Sequence, residues 1–153
     1  MDSTDIKLIK LLQKNGKLTM KELSGELGLS ITPIYERLRR LEREKKILGY
    51  QAVIDEKKAG FGLEVFCSVT LESHKSEFLI EFKSEIQKFE EVMECYHLAG
   101  SFDFLLKILV ADMDKYTSFI NQRLAKLRNI GLVQSMMVLD KVKHKTELPF
   151  ENV

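Results

Sequence analysis

The sequence predicts an α+β protein in which an N-terminal winged helix-turn-helix domain (residues 1–55) is joined by a linker (56–62) to a C-terminal ferredoxin-like domain (63–153). Apolar residues repeat at helical spacing over the first fifty residues. Beyond the linker, strand and helix patterns alternate in the order βαββαβ. Charge divides the chain at the same place, because residues 1–50 hold 11 Lys+Arg against 7 Asp+Glu and the remainder holds 13 against 16.

Two helices are predicted in the first thirty residues. The first begins after the capping candidates Asp2 and Ser3 and ends at Asn15-Gly16, where a left-handed residue would stop it. The second begins with Thr19-Met20-Lys21-Glu22, a capping box in which the hydroxyl and the carboxylate each accept a backbone N–H. It ends at Gly28-Leu29-Ser30. The apolar positions are Ile6, Ile9 and Leu12 in the first helix and Met20, Leu23 and Leu27 in the second.

A third helix is predicted to follow closely. Ser30 or Thr32 can cap its N-terminus, and Pro33 falls in its first turn, where the missing N–H costs little. Its apolar face is formed by Ile34, Leu38 and Leu41. The second and third helices are joined by a short turn that contains glycine, and this spacing is typical of a helix-turn-helix.

A strand over Leu48–Ile54 is predicted to supply the wing, because the apolar period changes from helical to alternating after Lys46. The segment from Asp55 to Gly62 is polar and interrupted by glycine, which indicates a connector. The boundary between the two domains is therefore placed there.

Four strands and two helices are predicted in the second domain. The strands cover 63–71, Val92–Leu98, Phe104–Val110 and Val133–Val142, and the helices follow Ser76 and Asp112, the second ending near Gly131. This order predicts one antiparallel sheet with both helices on one face. The apolar residues on the open face are expected to include Cys67, Val69, Tyr96 and Met137. An identical subunit is the simplest cover for such a face, so we expect a homodimer.

The third helix carries the candidate DNA-binding residues. A projection at 100° per residue finds them opposite the apolar face, on its flanks or at the N-terminal end: Ser30, Thr32, Pro33, Tyr35, Glu36, Arg37, Arg39, Arg40 and Arg43. Arginine supplies planar donors for phosphate oxygens and guanine edges, and short polar residues suit the close approach at the N-terminus. The alternative is a solvated helix in which Glu36 pairs with Arg39 or Arg40. Because a basic helix-turn-helix surrounds this helix, we predict double-stranded DNA as the partner.

Motifs in both halves of the chain carry a resemblance to a known family. The N-terminal motifs are Asp5-x-Lys7-x-Ile9-x-x-x-Leu12-Gln13-x-Asn15-Gly16, Glu22-Leu23, Gly28-Leu29-Ser30-x-Thr32-Pro33, Glu36-Arg37-x-x-Arg40-Leu41-Glu42-x-Glu44 and Ile47-x-Gly49-Tyr50. The C-terminal motifs are Gly100-x-x-Asp103-Phe104-Leu105-Leu106-Lys107 and Asp112-Met113 with Tyr116. Together they resemble the Lrp/AsnC (feast/famine) transcription regulators. The resemblance implies a DNA-binding protein that dimerises through its βαββαβ domain, assembles to octamers and responds to amino acids bound between dimers.

The turn Gly100-Ser101-Phe102-Asp103 between two predicted strands is the candidate effector site. An amino-acid ligand needs free backbone N–H groups beside one carboxylate, and the glycine and aspartate of this turn can provide them. The resemblance adds Met136, because its strand lines the family's effector pocket. The alternatives are that Asp103 only bonds the hairpin backbone and that Met136 belongs to the core. The sequence departs from the family pattern at Ser101 and Phe104, where many members have an acidic residue and a tyrosine.

Several classes of protein are excluded by signals that the sequence lacks. No apolar run approaches the ~20 residues of a membrane-spanning helix and the N-terminus is unlike a signal peptide, so we expect a cytoplasmic protein. Cys67 and Cys95 lie in apolar runs, which fits a reducing compartment. Nucleotide-binding and hydrolase motifs are absent, and Cys95 with His97 gives too few ligands for a metal, so we predict no enzyme, cofactor or metal site. The competing function is a ferredoxin-like ligand-sensing or metabolic module whose helical head serves only oligomerisation, which predicts no salt-dependent DNA affinity.

Overall fold

The chain forms two compact units in the structure, a computed structural model that describes residues 1–150. The helical unit consists of Met1–Val53 together with the segment that begins at Lys143, and the sheet unit is Ile54–Val142. The division after Val53 lies next to the predicted linker.

The C-terminal tail differs from the predicted domain boundary, which assigned it to the second domain. Phe150 packs against the core of the helical unit. The backbone N–H of Leu148 donates a hydrogen bond to Gln13 Oε1 at 2.8 Å. The last strand has no partner beyond the start of the first strand, and of the described tail residues Phe150 makes an apolar contact with the helical core instead.

Three helices build the helical unit, as the sequence predicts: α1 (Ser3–Lys14), α2 (Met20–Leu27) and α3 (Ile31–Arg43). Their apolar stripes meet in one small core. Its buried apolar residues are Leu8, Ile9, Leu23, Ile34, Leu38 and Leu41. Each helix contributes a stripe that would face water if the helix were alone, so the three segments are stable only together.

The ends of the helices follow local chemistry. The predicted capping box of α2 is confirmed, since Thr19 N–H donates to Glu22 Oε2 at 2.7 Å and Glu22 N–H donates to Thr19 Oγ1 at 3.3 Å. Gly28 ends α2 in the left-handed region, at φ 64°. The predicted left-handed stop of α1 is wrong, because Asn15 is extended at φ −147°. Ser30 precedes α3 as expected, yet its side chain makes no capping hydrogen bond.

The wing strand predicted over Leu48–Ile54 is not formed. These residues are in irregular backbone, and none of the strand pairings in residues 1–150 includes them. Leu48 and Val53 are 89% and 92% exposed. An alternating pattern becomes a strand only where a second strand accepts its backbone hydrogen bonds, and the helical unit supplies none here.

The sheet unit has the predicted βαββαβ order. Its elements are β1 (Leu63–Leu71), α4 (Ser76–Ile86), β2 (Val92–His97), β3 (Phe104–Val110), α5 (Met113–Gln122), a 3-10 turn (Leu124–Lys126) and β4 (Ile130–Met137). The strands form one antiparallel sheet in the spatial order β2-β3-β1-β4. This arrangement confirms the ferredoxin-like prediction.

Both helices of the sheet unit pack on one face of the sheet, as predicted. Phe82 of α4 contacts Phe104 of β3 with ring centroids 4.3 Å apart, and Phe119 of α5 meets Phe89 edge to face at 5.6 Å. The buried strand residues beneath them are Val65, Cys67, Val69, Leu71, Phe104, Leu106, Ile108 and Val110. No helix in residues 1–150 is both long and apolar enough to cross a bilayer.

Two element boundaries differ from the prediction. The last helix was expected to continue to near Gly131, but α5 ends at Gln122. The backbone angles of Arg123 are no longer helical, and its guanidinium lies 2.7 Å from the Glu91 carboxylate. The last strand was expected over Val133–Val142, but β4 ends at Met137. The final backbone bond along this edge joins the N–H of residue 138 to the carbonyl of residue 64, close to where β1 begins.

The open sheet face, on the side away from α4 and α5, has a different composition from the one predicted. Cys67 and Val69 are fully buried against the helices, and Met137 shares that side because it pairs with Val65. Only Tyr96 of the four predicted residues lies on the open face, opposite Leu105 in the strand register. The strand register assigns Glu64, Phe66, Ser68, Glu94, Tyr96, Leu105, Lys107, Leu109, Gln134 and Met136 to the open sheet face, and Leu132 continues the same alternation along β4. The alternation of apolar residues along a strand separates the two faces of the sheet, but the pairing register of the strands is needed to tell which face the helices cover.

Candidate nucleic-acid interface and effector site

Four predicted DNA-binding residues form one exposed surface, which we call the outward face of α3: Thr32, Glu36, Arg39 and Arg43. Arg39 is held in place within this surface, because its Nε donates to the Tyr35 hydroxyl at 3.0 Å and its guanidinium lies 5.4 Å from the Tyr35 ring centroid. The hydrogen bond to Tyr35 raises the pKa of Arg39, so the cation is maintained. The alternative of a Glu36 pair with Arg39 or Arg40 is not formed among residues 1–150. The outward face therefore presents one preoriented guanidinium, that of Arg39, to solvent.

The other two arginines of α3 are bound to α1. Arg37 Nη1 lies 2.8 Å from Asp5 Oδ1, and Arg40 Nη2 lies 2.7 Å from Asp5 Oδ2. Arg37 also pairs with Asp2, at the start of the same helix. The Asp5 side chain is only 2% exposed. Both arginines were predicted to contact DNA, which stays a prediction; in the structure their guanidinium groups join α3 to α1.

The Asp5 carboxylate stays ionised despite its burial. Burial raises the pKa of this carboxyl. The hydrogen bonds from the backbone N–H of Asp2 and from the Arg37 guanidinium lower it by more, so the pKa lies below its usual value. Asp5 also completes a capping box, because Asp2 N–H donates to Asp5 Oδ2 at 3.1 Å and Asp5 N–H donates to Asp2 Oδ1 at 2.8 Å. One carboxylate therefore stabilises the start of α1 and the position of α3.

The N-terminal end of α3 carries the remaining predicted residues. Ser30 is exposed and Pro33 is half-buried in the first turn. Ile31, which the sequence analysis did not select, is also half-exposed at this end. Its apolar side chain between two short polar residues, Ser30 and Thr32, is the signal that could have identified it.

The hairpin Gly100–Asp103, the candidate effector site, connects β2 to β3 and is anchored at its end. Leu98 N–H donates to the Asp103 carbonyl at 2.8 Å, and Asp103 N–H donates to the Val69 carbonyl of β1 at 3.0 Å. Gly100 and Ser101 are exposed, whereas Phe102 and Asp103 are half-buried. Exposed backbone next to a carboxylate is the arrangement that the sequence predicted.

The Asp103 side chain has partners that the sequence did not identify. Its Oδ2 accepts a hydrogen bond from Leu71 N–H at 2.7 Å, and its Oδ1 lies 2.8 Å from His74 Nε2. The carboxyl side chain is 17% exposed. Asp103 therefore supplies the acceptor that the end of β1 lacks, since β3 begins one residue later. The Asp103 side chain thus bonds the backbone of β1 rather than that of its own hairpin.

Met136 is not close to the hairpin within one chain. It pairs with Phe66 in the strand register, whereas Asp103 bonds Val69 and Leu71 at the other end of β1. Five residues of strand separate Phe66 from Leu71, which corresponds to ~16 Å. Met136 is 47% exposed on the open sheet face, so it is not a core residue.

Possible metal ligands and the Cys67 thiol were the other features considered for chemistry. Residues 1–150 contain no group of three or more His, Cys, Asp or Glu side chains placed to hold a metal ion. Burial raises the pKa of Cys67 to about 11, so this thiol stays protonated near neutral pH.

Comparison with known proteins places both units in one family. Residues 1–47 match the model of a winged helix-turn-helix DNA-binding domain, and residues 64–148 match the Lrp/AsnC ligand-binding domain. The chain is 38% identical over 143 residues to the leucine-responsive regulatory protein of Haemophilus influenzae, covering 94% of this chain and 86% of the relative. It is 36% identical over 148 residues to the protein of the same name from Escherichia coli K12, covering 97% and 90%.

Solved structures agree with this assignment. A transcriptional regulator from Neisseria meningitidis, crystallised as an L-Met complex, superimposes with a TM-score of 0.94 at 33% identity, covering 99% of this chain and 98% of that chain. An AsnC family transcriptional regulator from Agrobacterium tumefaciens gives a TM-score of 0.93 at 33% identity, covering 99% of both. The chain therefore belongs to the Lrp/AsnC family of DNA-binding transcriptional regulators, and its sheet unit is the family's ligand-binding domain.

Proposed function

We propose that the protein is a sequence-specific, homo-oligomeric regulator whose sheet unit binds an amino acid between subunits. The observation that carries the DNA-binding part is the division of the α3 arginines. Asp5 holds Arg37 and Arg40 against α1, while Arg39 and Arg43 project from the opposite side. The helix is thus fixed to its own unit and still presents cations.

In this proposal α3 enters the major groove. Arg39 and Arg43 donate to phosphate oxygens or guanine edges, and Glu36 can accept a hydrogen bond from a cytosine amino group. Ser30, Thr32, Pro33 and Tyr35 form the N-terminal end, where a helix-turn-helix approaches the bases most closely. The exposed methyl groups of Ile31 suit a thymine methyl.

Dimerisation is proposed through the open sheet face. Phe66 and Leu105 lie near its centre, with Met136 and Tyr96 on the outer strands. A second copy of the same sheet would cover these apolar side chains and could repeat the contact through two-fold symmetry. Two linked helical units would then reach two half-sites, and an octamer would follow from association of dimers.

The effector site is proposed at the hairpin, with part of its lining from another subunit. The exposed N–H groups near Gly100 and Ser101 would bind the ligand carboxylate, Asp103 would bind the ammonium, and Phe102 would contact the ligand side chain. Met136 can join this site only from a second subunit, because it is remote from the hairpin in its own chain. The L-Met complex of the Neisseria relative supports an amino acid as the ligand class.

The regulatory mechanism would be linkage between ligand binding and assembly. A ligand that contacts two subunits binds only when they are associated, so it changes the number or arrangement of dimers. Such a change alters how many helical units reach successive half-sites on DNA.

One pair of measurements tests the proposal. Selection from a random pool of duplexes should enrich a sequence whose affinity exceeds that of unrelated DNA and falls steeply with salt. A thermal-shift screen with the proteinogenic amino acids should find one that stabilises the protein, by ~2.7 kcal/mol at a hundred times its Kd. A chain with no salt-dependent DNA affinity would support the competing oligomerisation head, and the absence of any amino-acid shift would remove the effector part alone.

A further inference from the structure

A histidine outside the predicted site contacts the carboxylate that the proposed function assigns to the ligand. The N–H of Leu71 binds Asp103 Oδ2 at 2.7 Å, so Oδ1 is the oxygen that this backbone bond leaves for another partner. His74 Nε2 lies 2.8 Å from Oδ1. The imidazole and the ammonium group of a bound amino acid therefore need the same oxygen.

The imidazole can leave this position, whereas the carboxylate is held. His74 belongs to the loop between β1 and α4, and its side chain is 65% exposed. Water can replace Asp103 as its partner at little cost, because an exposed pair contributes little stability. The Asp103 side chain is only 17% exposed and stays bound to β1 through Leu71. Displacement of His74 would thus leave Asp103 in place for a ligand.

The other titratable or charged side chains on the elements around this contact do not compete for Asp103. They lie on the same loop, at the start of α4, at the end of β2 and before β4: Glu72, Lys75, Glu77, His97 and Arg128. All five are exposed, and none of them forms an ion pair with Asp103 or His74 within residues 1–150. His97 instead stacks on Phe104, with ring centroids 4.8 Å apart. His74 is therefore the side chain that a ligand must replace.

We propose that the amino-acid ligand displaces His74 from Asp103, and that protonation of this imidazole weakens ligand binding. The inference rests on the effector site proposed at the hairpin. A neutral imidazole gives up one hydrogen bond, whereas an imidazolium gives up an ion pair and also repels the incoming ammonium. Histidine changes its charge between pH 5 and 8, so the affinity for the ligand should fall as the pH falls through this range.

Calorimetric titration of the full-length protein at about pH 8 and about pH 5.5 tests this inference. The probe is L-methionine, with which the Neisseria relative was crystallised. If L-methionine gives no thermal shift, the probe is the proteinogenic amino acid, other than histidine, that gives the largest one. The Kd should be about 2- to 5-fold higher at the lower pH, the range expected for an exposed ion pair. Binding at about pH 6.5 should release a fraction of a proton, measured in buffers of different ionisation enthalpy.

Variants of the three histidines separate the sources of a pH effect. H74Q keeps a neutral donor for Asp103, so it should bind the probe at both pH values as tightly as the parent does at the higher one. It should also release no proton. H97Q changes the other histidine beside the hairpin, and H144Q changes the one in the tail. Both are matched controls and should keep the pH dependence of the parent.

The role of His74 is overturned if the parent has the same Kd at both pH values, or if H74Q keeps the pH dependence of the parent. The D103N variant shows whether the effector site falls with it. When D103N loses the probe but H74Q keeps the pH dependence, only the role of His74 is wrong. When D103N binds the probe like the parent, or no proteinogenic amino acid binds, the effector site and the role of His74 are both wrong.

Discussion

The helical unit and the sheet unit are stabilised in different ways. Among residues 1–150, the sheet unit buries fourteen apolar residues in the core between its strands and two helices, and the helical unit buries six. Both units also hold a buried carboxylate between two cations, Asp5 with Arg37 and Arg40 in the helical unit and Glu64 with Lys107 and Lys141 in the sheet unit. Because a small core contributes little hydrophobic free energy, the helical unit depends more on its ion pairs. The helix proposed to read DNA is thus held by residue types that could themselves bind DNA. Stability and recognition are divided between neighbouring arginines of one helix.

Replacing Asp5 by alanine should have the largest effect on this difference. The substitution removes a buried ion-pair partner of two arginines and half of the α1 capping box, and we expect the helical unit to lose ~2–4 kcal/mol of stability. The figure lies below that of a fully buried pair because both guanidinium groups are partly exposed and can rehydrate. Hydrogen-exchange mass spectrometry should show faster exchange in α1 and α3 and little change in β1 and β3.

Asp140 provides the matched control for this substitution. It is an exposed aspartate of the sheet unit, and Asp140→Ala should leave exchange unchanged in both units. If Asp5→Ala behaved like the control, the ion pairs would contribute no stability and the contrast between the units would disappear.

Acid should unfold the helical unit before the sheet unit. The pKa of Asp5 is lowered in the folded state, because the N–H of Asp2 and the Arg37 guanidinium together outweigh the effect of burial. The ionised Asp5 side chain therefore contributes its full stability above the ordinary aspartate pKa of 3.8. This stability is lost as the pH falls through the lower pKa of Asp5 in the folded state. Amide resonances of α1 and β3, followed by NMR during acid titration, should give a higher midpoint pH for α1. Asp5→Asn resembles the protonated carboxyl, so it should destabilise the helical unit at neutral pH and reduce the pH dependence of its stability. An unchanged pH dependence of α1 would contradict the assignment to Asp5.

The two pairs of arginines should respond differently to truncation. Arg39→Ala and Arg43→Ala should each weaken operator binding roughly 5- to 150-fold without lowering Tm, the range expected for loss of a base or phosphate contact. Arg37→Ala should lower the Tm of the helical unit because Asp5 loses a partner. Fluorescence anisotropy with an operator duplex and calorimetry separate the two quantities. Equal losses of affinity and equal Tm values for Arg37→Ala and Arg39→Ala would refute the division of roles.

The sequence predicted the fold because apolar periodicity and family motifs describe each element locally. The order βαββαβ and the three helices of the helical unit are confirmed, since each apolar stripe needs only one face to be buried. The strand predicted over Leu48–Ile54 is not formed, because a strand requires a partner and a local pattern does not show whether one is present. Likewise, the open sheet face was assigned to Cys67 and Val69 because the strand register is a property of the whole sheet.

Residues of the candidate sites were harder to predict where a long side chain reaches across the fold. A helical projection placed Arg37 and Arg40 near solvent, but it could not include a carboxylate more than thirty positions earlier in the chain. A signal was available, because Asp5 has helical spacing with the buried residues Leu8 and Ile9 and the partly buried Leu12 of α1. A charged residue in an apolar stripe requires a partner of opposite charge, and the arginines of α3 are the nearest candidates.

The smallest effect is expected at the hairpin, where one carboxylate has both a structural and a proposed binding role. Asp103→Ala leaves Leu71 N–H without its acceptor and should cost the sheet unit ~1–3 kcal/mol. Asp103→Asn keeps an oxygen for that N–H, so we expect a loss below ~1 kcal/mol, with the dimer and DNA binding preserved. The Asn variant should nevertheless lose the amino-acid thermal shift, because a neutral amide cannot form an ion pair with an ammonium group. His74→Gln is the control that perturbs the other Asp103 oxygen while retaining the charge, and it should keep the shift. An Asn variant that binds the amino acid as tightly as the parent would leave Asp103 as the cap of β1 alone and would move the ligand site away from this carboxylate.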